Sequence, residues 1–141
     1  MPDQSKPAAD SVHRVAVQMR FADTDALGHV NNGSYIVYAE TGRLEFLRVL
    51  GAAARSLILA HISADFRKQV LFGAKVEVET WVERVGNTSV TLMQHVLADG
   101  ALAAEVRSVV VSFDYGTQRP TPWSAASRAA LEAHVHAPAS V

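Results

Sequence analysis

The sequence predicts an α+β fold, in which one long helix precedes a run of antiparallel strands. Two observations support this prediction. Apolar residues recur at helical spacing through segment 32–50, and in later segments they alternate with polar residues between turn-forming Gly-Asn and Asp-Gly pairs. Because the helical and the strand patterns occupy separate stretches of the chain, they indicate an α+β protein rather than alternating βαβ units.

The first part of the chain predicts a tail, a strand and a loop. Residues 1–11 are polar and without period, and we expect them to form a flexible N-terminal tail. Segment 13–20 alternates apolar and polar residues and predicts a strand, after which the Asp, Thr, Gly and Asn residues of segment 21–32 predict a loop. The chain length suits one domain, which we place at residues 12–135.

The long helix is bounded by capping residues at both ends. Asn31 or Asn32 can serve as its N-cap, and Gly51 stands just after its C-terminus, where glycine is favoured. Segment 52–60 predicts a second, short helix. The residues that share the main apolar face of the long helix are Tyr35, Ala39, Gly42, Phe46 and Val49.

The second half of the chain predicts four antiparallel strands. Segment 76–82 alternates strictly, and the pairs Gly86-Asn87 and Asp99-Gly100 predict the turns that follow it. The other strand segments are residues 62–70, whose pattern is mixed, 90–96 and 106–115.

The C-terminal region predicts a short helix and a second tail. Ser124 is a good N-cap for a helix over residues 124–134, and we expect residues 136–141 to be flexible. A single sheet with one buried helix leaves its edge strands uncovered, and pairing between two copies of the chain would cover them.

The composition excludes several classes of function. The 13 Lys+Arg and 14 Asp+Glu residues leave no excess of positive charge, so binding to nucleic acid is not expected. The absence of cysteine excludes disulfides, thiolate metal sites and a cysteine nucleophile. Neither a signal peptide nor an apolar run of roughly 18 residues is visible, so we expect a cytoplasmic protein that does not span a membrane. Charged residues make up 19%, below the roughly 25% of typical soluble domains, which favours an oligomer.

The segment that carries chemistry lies between the first strand and the long helix. Asp23 and Asp25 supply two carboxylates, His29 an imidazole, and Asn31 and Asn32 two amides. The segment leads into a helix N-terminus, where free backbone N–H groups and the helix dipole favour negative charge. Hydrolysis of an ester or thioester needs such donors at the developing oxyanion, and a carboxylate that attacks the acyl carbon or activates water.

The same residue types also have a purely structural interpretation. Asp and Asn before a helix are often caps and Asx-turn residues that hold a loop together. The residues alone leave both interpretations open.

A family resemblance favours the catalytic interpretation. Residues 20–35 read RFADTDALGHVNNGSY, and residues 65–68 and 72–73 read DFRK and FG. Together with the element order over residues 13–115, these motifs resemble the hotdog-fold acyl-CoA thioesterases, specifically the 4-hydroxybenzoyl-CoA thioesterase-like family. The resemblance implies a hotdog fold, which is an antiparallel sheet wrapped around a long central helix. It also implies hydrolysis of an acyl-CoA thioester to a carboxylic acid and free CoA.

The resemblance implies roles for individual residues. Asp25 matches the family's catalytic aspartate, which acts as nucleophile or general base. Asn32 matches the position at the helix start whose backbone N–H polarises the thioester carbonyl, and Gly33 and Ser34 add neighbouring amides. Some relatives carry an aromatic residue or a histidine at the position of Asn32. This difference does not affect a role of the backbone N–H group, which any residue except proline provides.

Several residues near this motif have two interpretations each. His29 is either a polar or acid–base helper near the thioester, or a loop histidine bonded to Asp23 or to backbone. Asp23 itself is expected to stabilise the loop. Tyr35 is either a substrate-binding residue or a core residue with a satisfied hydroxyl. Glu40 lies on the long helix, and a sister family uses a glutamate on this helix as its catalytic carboxylate. Asp25 already fills that role here.

Binding of coenzyme A needs cations for its phosphates. The candidates are Arg67, Lys68, Arg84 and Arg119, and the alternative for each is an ordinary solvated surface charge. The histidines show no metal-ligand spacing beyond a pair near the C-terminal end, so we expect no metal site. No cofactor is expected, because the CoA thioester is the substrate.

Two other functions stay open, and the resemblance also implies an assembly. Hydrolysis of acyl groups from acyl carrier protein would use the same chemistry but needs a basic docking patch. A non-catalytic acyl-CoA-binding module of the same fold is the other alternative, against which the intact Asp25 argues, and a dehydratase is a weaker option. The resemblance implies a homodimer or homotetramer in which strands pair across two copies near the site.

Overall fold

The computed structural model describes residues 12–51 and 56–136 of the chain. Within these ranges the elements, in chain order, are β1 (His13–Val17), a 3₁₀ turn (Phe21–Asp23), α1 (Asn32–Val49), β2 (Leu57–Phe66), β3 (Val76–Val85), β4 (Ser89–Ala98), β5 (Ala101–Asp114), β6 (Arg119–Pro120) and α2 (Ala125–Glu132). The strands of the described ranges form one antiparallel sheet in the order β1-β3-β4-β5-β2, with β6 paired to the end of β5. This is the predicted α+β arrangement.

The long helix and its two ends agree with the prediction. Helix α1 has 18 residues, with Asn31 as its N-cap residue. Gly51 follows the C-cap residue Leu50 and has φ +80, the left-handed conformation that glycine adopts without steric cost.

The predicted short helix over residues 52–60 is wrong where the structure describes it. Strand β2 begins at Leu57 and pairs with β5 as far as Phe66. Pairing with a strand distant in sequence outweighs the local helix preference of the alanines in this segment. Residues 52–55 lie outside the described residues.

The predicted turn and the predicted C-terminal helix are both present. Asp99 and Gly100 both have positive φ, 49 and 83, as a two-residue hairpin of the mirror-image type requires. Strand β5 therefore starts directly after this hairpin, earlier than predicted. Ser124 caps α2, since its hydroxyl accepts a hydrogen bond of 3.1 Å from the N–H of Ser127.

The two predicted tails fall almost entirely on residues that are not described. Residues 1–11 and 137–141 lie outside the described ranges. His136, which was placed in the C-terminal tail, donates its backbone N–H to the carbonyl of Val82 at 2.9 Å. That residue is thus tied to β3.

Helix α1 packs closely against the sheet because it presents a glycine to β3. A Cβ added to Gly42 would lie 2.5 Å from Cγ1 of Val78, so no side chain fits at this position. On the next strand, the buried amide of Gln94 donates to the carbonyl of Ala39 at 2.7 Å and to the hydroxyl of Thr80 at 3.0 Å. These contacts fix the height of the helix above the sheet.

Two loops meet at the N-terminal end of α1. The N–H of Val30 donates to the carbonyl of Val70 at 2.8 Å, and the N–H of Phe72 donates to the carbonyl of Gly28 at 3.1 Å. The segment after β1 is therefore joined to the segment that connects β2 and β3. In the described part of the chain, no helix is both long enough and apolar enough to cross a membrane.

Candidate active site

A cleft of about 720 Å³ opens at the N-terminal end of α1. One wall is the loop 25–31 with the first turn of α1, and the other is segment 66–69 at the end of β2. This volume is typical of pockets for small molecules. The residues that we predicted for the site and that line this cleft are Asp25, His29, Asn32, Gly33, Tyr35, Arg67 and Lys68.

The carboxylate of Asp25 is held by one of its two oxygens. Oδ1 accepts hydrogen bonds from the backbone N–H groups of Leu27, at 2.8 Å, and of His29, at 3.1 Å. The N–H of Asp25 donates to the carbonyl of His29 at 2.7 Å, which closes the loop. In the described chain Oδ2 accepts no hydrogen bond, so this oxygen is available to a substrate or to water.

The start of α1 presents two unused backbone donors to the same cleft. The N–H of Asn31 donates to the carbonyl of Asp23 at 2.9 Å, and that of Ser34 to the carbonyl of Asn31 at 2.9 Å. The N–H groups of Asn32 and Gly33 have no acceptor among the described residues, and the Asn31 side chain makes no capping bond. Such donors at a helix N-terminus attract a negatively charged oxygen.

Hydrogen bonds to the side chain of Asp23 hold this loop in place. Its buried side chain accepts hydrogen bonds from the backbone N–H of Arg20 at 2.9 Å, the Arg20 guanidinium at 3.1 Å and the hydroxyl of Tyr38 at 2.8 Å. The bond from the Arg20 backbone is the main reason why the pKa of Asp23 is lowered in spite of its burial. Burial, and then the bond to Asp23, raise the pKa of Tyr38. Asp23 therefore has a structural role.

The structure corrects the expected partners of His29 and Ser34. The His29 side chain does not bond to Asp23, because Arg20 and Tyr38 occupy that carboxylate. The imidazole makes no hydrogen bond within the described ranges and lines the cleft, while the backbone of His29 holds Asp25. Ser34 does not line the cleft, since its hydroxyl donates to the carbonyl of Asp23 at 3.0 Å.

Tyr35 connects the two walls of the cleft. Its ring is buried and meets the ring of Phe66 edge-on, with the centroids 5.5 Å apart. Its hydroxyl donates to the carbonyl of Lys68 at 3.1 Å, and burial raises its pKa. Tyr35 is thus a core residue with a satisfied hydroxyl that also lines the cleft.

The four candidate cations differ in their surroundings. Arg67 lines the cleft but forms an ion pair with Glu105, whose oxygen lies 2.6 Å from Nη2. The side chain of Lys68 lines the cleft and has no partner in the part of the chain that is described. Arg84 on β3 and Arg119 on β6 are not among the lining residues.

Sequence reasoning missed Tyr38 and Glu105. Tyr38 stands one helical turn after Tyr35, so it can reach the same loop, but the sequence alone does not show that Asp23 lies opposite it. Glu105 faces Arg67 only because β2 pairs with β5. Among the described residues no group of three or more His, Asp or Glu side chains is placed to hold a metal ion.

The chain belongs to the thioesterase-like superfamily, whose family model matches residues 19–131. Among solved structures, a predicted thioesterase from Bacillus stearothermophilus is 31% identical with a TM-score of 0.84, over 90% of this chain and 98% of that one. A thioesterase from Thermus thermophilus, solved with coenzyme A and Zn, is 29% identical with a TM-score of 0.78, over 88% and 93% of the two chains.

A curated relative agrees with this assignment. The acyl-CoA thioesterase YbgC of Haemophilus influenzae is 25% identical over 123 residues, which are 82% of this chain and 90% of that protein. The resemblance, the hotdog fold and the enzyme class predicted from the sequence are therefore confirmed.

Proposed function

We propose that this enzyme hydrolyses an acyl-CoA thioester to a carboxylic acid and free CoA. The observation that carries the proposal is that one cleft is lined both by Asp25 and by Asn32 and Gly33, whose N–H groups have no acceptor among the described residues. Two similar proteins support the substrate class, since one is named an acyl-CoA thioesterase and the other was solved with coenzyme A.

The carbonyl oxygen of the thioester would bind at the start of α1. The N–H groups of Asn32 and Gly33 donate to it, and the positive end of the helix dipole favours the negative charge that develops there. The space beside Gly33 is open, since a Cβ added there would meet no atom within 4 Å, and this leaves room for a substrate atom near the N–H group. This interaction strengthens as the carbonyl becomes an oxyanion, so it lowers the barrier.

Asp25 supplies the carboxylate in either of two routes. As nucleophile, its oxygen bonds to the acyl carbon while the C–S bond breaks and CoA leaves, and water then cleaves the resulting anhydride. As general base, it takes a proton from water that attacks the same carbon, and passes the proton to the departing sulfur. Solvent oxygen-18 found in Asp25 after a single turnover identifies the nucleophilic route.

The remaining residues of the cleft bind the substrate rather than react with it. Lys68 is proposed to bind the CoA phosphates, because its ammonium has no partner in the described chain, whereas Arg67 forms an ion pair with Glu105. The His29 imidazole is proposed as a polar contact near the thioester. The proposed reaction needs water and these groups alone.

The active unit is proposed to be a homodimer or a homotetramer. The family resemblance implies this, and the position of β2 at an uncovered edge of the described sheet supports it.

The test is release of free thiol from a panel of acyl-CoA substrates with short, long, branched and aromatic acyl groups. Asp25→Asn keeps an oxygen for the two backbone bonds but loses the charge, so we expect kcat to fall by at least about 10²-fold. Asp99→Asn is the matched control and should keep full activity, because Asp99 lies in the β4–β5 hairpin. Full activity of Asp25→Asn, or no turnover of any substrate, contradicts the proposal.

A further inference from the structure

A row of charged side chains crosses the face of the sheet that points away from α1. Glu79 belongs to this face, because its neighbour Val78 faces the helix at Gly42. The register places residues of five strands opposite one another along the row, which are, in order, Arg14, Glu79, His95, Glu105 and Asp65. Glu105 and Asp65 are two acids in directly opposite positions, and like charges in such positions destabilise a sheet. Glu105 therefore needs a positive partner.

Glu105 has two basic neighbours, one at each carboxylate oxygen. Nε and Nη2 of Arg67 donate to Oε2 at 3.1 and 2.6 Å, and this hydrogen bonding is the main reason why the pKa of Glu105 is lowered. Nε2 of His95 lies 3.4 Å from the other oxygen, Oε1. The side chains of Glu105 and His95 are 18% and 21% exposed, whereas that of Arg67 is 55% exposed. The carboxylate and the imidazole are thus shielded from water, while the guanidinium is accessible.

Arg67 connects this row with the candidate active site. It lines the cleft next to Lys68, and the binding of CoA proposed above brings phosphate groups to these residues. A guanidinium can form paired hydrogen bonds with a phosphate as it does with a carboxylate. A phosphate group in the cleft therefore competes with Glu105 for Arg67.

The other charged groups around His95 have partners of their own. These ion pairs are Glu79 with Arg14 and Arg107 with Glu83. Glu77, which is diagonally opposite His95 on β3, lies close enough to Arg14 to interact with its charge. The ring of Trp81 meets the imidazole edge-on, with the centroids 4.7 Å apart. The neighbour of His95 whose partner can be exchanged for a substrate group is Glu105.

Departure of Arg67 from Glu105 would favour a charged His95. As long as Arg67 is bound to Glu105, its positive charge opposes a second positive charge nearby. After its departure, Glu105 keeps its negative charge beside Asp65 and has lost its main cation. A negative charge within roughly 4 to 6 Å favours the protonated imidazole, and histidine is the side chain that changes its charge between about pH 5 and 8.

We propose that Glu105 and His95 control Arg67 as a proton-linked switch. A phosphate group of CoA takes Arg67 from Glu105, and His95 takes up a proton from solvent and replaces Arg67 as the cation beside Glu105. The proposal rests on the binding of CoA proposed above. Since coupling between two binding events is reciprocal, protons strengthen the binding of CoA as much as CoA strengthens the binding of the proton.

Calorimetric titration with free CoA tests the coupling. Repeating the titration in buffers of different ionisation enthalpy gives both Kd and the number of protons taken up. For the wild type we expect proton uptake, and a Kd that falls about 3-fold or more from about pH 8 to about pH 6.5. A phosphate monoester also takes up protons near about pH 6, and this background is common to all variants.

His95→Gln should lose the proton uptake above this background. Glutamine keeps an N–H group that can face Glu105, but it does not titrate. Its Kd should stay near the wild-type value at about pH 8 and should no longer fall towards about pH 6.5. His13→Gln is the matched control, because His13 lies on β1 against Phe46 of α1, away from the cleft. It should keep the wild-type coupling.

Glu105→Gln should bind CoA more tightly than the wild type. The amide has the size of the carboxylate but lacks the charge that holds Arg67, so Kd at about pH 8 should fall about 3-fold or more. Damage to the sheet would weaken binding, so a gain in affinity distinguishes the switch from a structural role. Glu83→Gln removes a charge from the same face at the ion pair with Arg107 and should leave Kd unchanged. Circular dichroism checks the fold, and if Glu105→Gln is unfolded, the result for His95→Gln decides.

Three results would overturn the proposal. These are wild-type proton uptake in His95→Gln, a folded Glu105→Gln that binds CoA no more tightly than the wild type, and a wild type that does not bind CoA. Thiol release is measured on the same samples. Coupled binding of CoA without turnover of any acyl-CoA overturns only the proposed hydrolysis, whereas turnover without the coupling overturns only the switch.

Discussion

Individual hydrogen bonds explain how an exposed carboxylate can be held in place. Asp25 lies on the surface, but two backbone donors fix one of its oxygens. The loop around it is fixed in turn by the buried Asp23, which binds Arg20 and Tyr38. The position of Asp25 thus depends on a second carboxylate, which does not line the cleft.

The lowered pKa of Asp23 predicts how its contribution depends on pH. A carboxyl group whose pKa is lower in the folded state stabilises the fold above its unfolded pKa of about 4, and this contribution is lost as pH falls through the folded value. We therefore expect the difference in unfolding free energy between wild type and Asp23→Asn to be constant from about pH 5 to 7 and to shrink below about pH 4. Urea titrations at several pH values measure it, and a difference that grows in acid contradicts the assignment.

If Lys68 binds the CoA phosphates as proposed, its ammonium, which has no partner within the described ranges, predicts a selective loss of substrate affinity when it is removed. Lys68→Ala should raise KM for acyl-CoA by about 3- to 10-fold, the range for one exposed charged contact, and leave kcat nearly unchanged. The same acyl group on N-acetylcysteamine, which lacks the phosphates, should show no change in KM. Arg67→Ala is the comparison, and its effect should be smaller because Glu105 already holds Arg67. Equal KM effects on both thioesters would exclude a phosphate contact.

Packing between elements sets the position of the helix whose start carries the proposed oxyanion donors. Helix α1 lies against β3 at Gly42, and the amide of Gln94 ties the helix carbonyl of Ala39 to the sheet. A change at this contact moves the start of α1 relative to the loop of Asp25.

Gly42→Ala should therefore destabilise the protein although alanine favours helices. The added methyl group would lie 2.5 Å from Val78, and overpacking of this kind costs about 1–3 kcal/mol. The higher helix propensity of alanine offsets at most about 1 kcal/mol of this cost. Urea denaturation measures the change, and Val78→Ala in the same chain should relieve only part of it, because the Cβ of residue 78 would still lie 2.9 Å from the added methyl group. Gly33→Ala, whose methyl group meets nothing within 4 Å, is the control for stability. A Gly42→Ala protein as stable as wild type would contradict this packing.

The sequence predicted those elements whose causes are local. Caps and period define α1, and the Asp99-Gly100 pair defines a hairpin, because both signals lie within a few residues. The error at residues 57–60 has a non-local cause, since β2 exists through its pairing with β5. The same division applies to the site. The wall around Asp25 comes from one short segment, whereas the Arg67–Glu105 pair depends on strand register.

At the scale of the whole molecule, two parts of α1 face different surroundings. Its N-terminal end lines the cleft, and its middle lies beside β2, which is an edge strand of the described sheet. A second copy of the chain at that edge, as proposed above, would cover it.

Assembly of this kind predicts a melting temperature that depends on protein concentration. Association stabilises the folded state by mass action, so Tm should rise by a few degrees between about 1 and 100 μM for the wild type. Scanning calorimetry at several protein concentrations measures the change. A wild-type Tm that does not change with concentration would argue against an assembly coupled to folding.

The link from the Tyr35 hydroxyl to the Lys68 carbonyl also has an evolutionary consequence. It joins two cleft walls that come from separate stretches of the chain, and the proposed catalytic carboxylate and oxyanion donors all belong to one of them. Mutations in the other wall, at Phe66 or Gln69, can reshape the cleft while Asp25 and the start of α1 stay in place. We therefore expect the substrate specificity of related chains to change more readily in evolution than their hydrolytic activity.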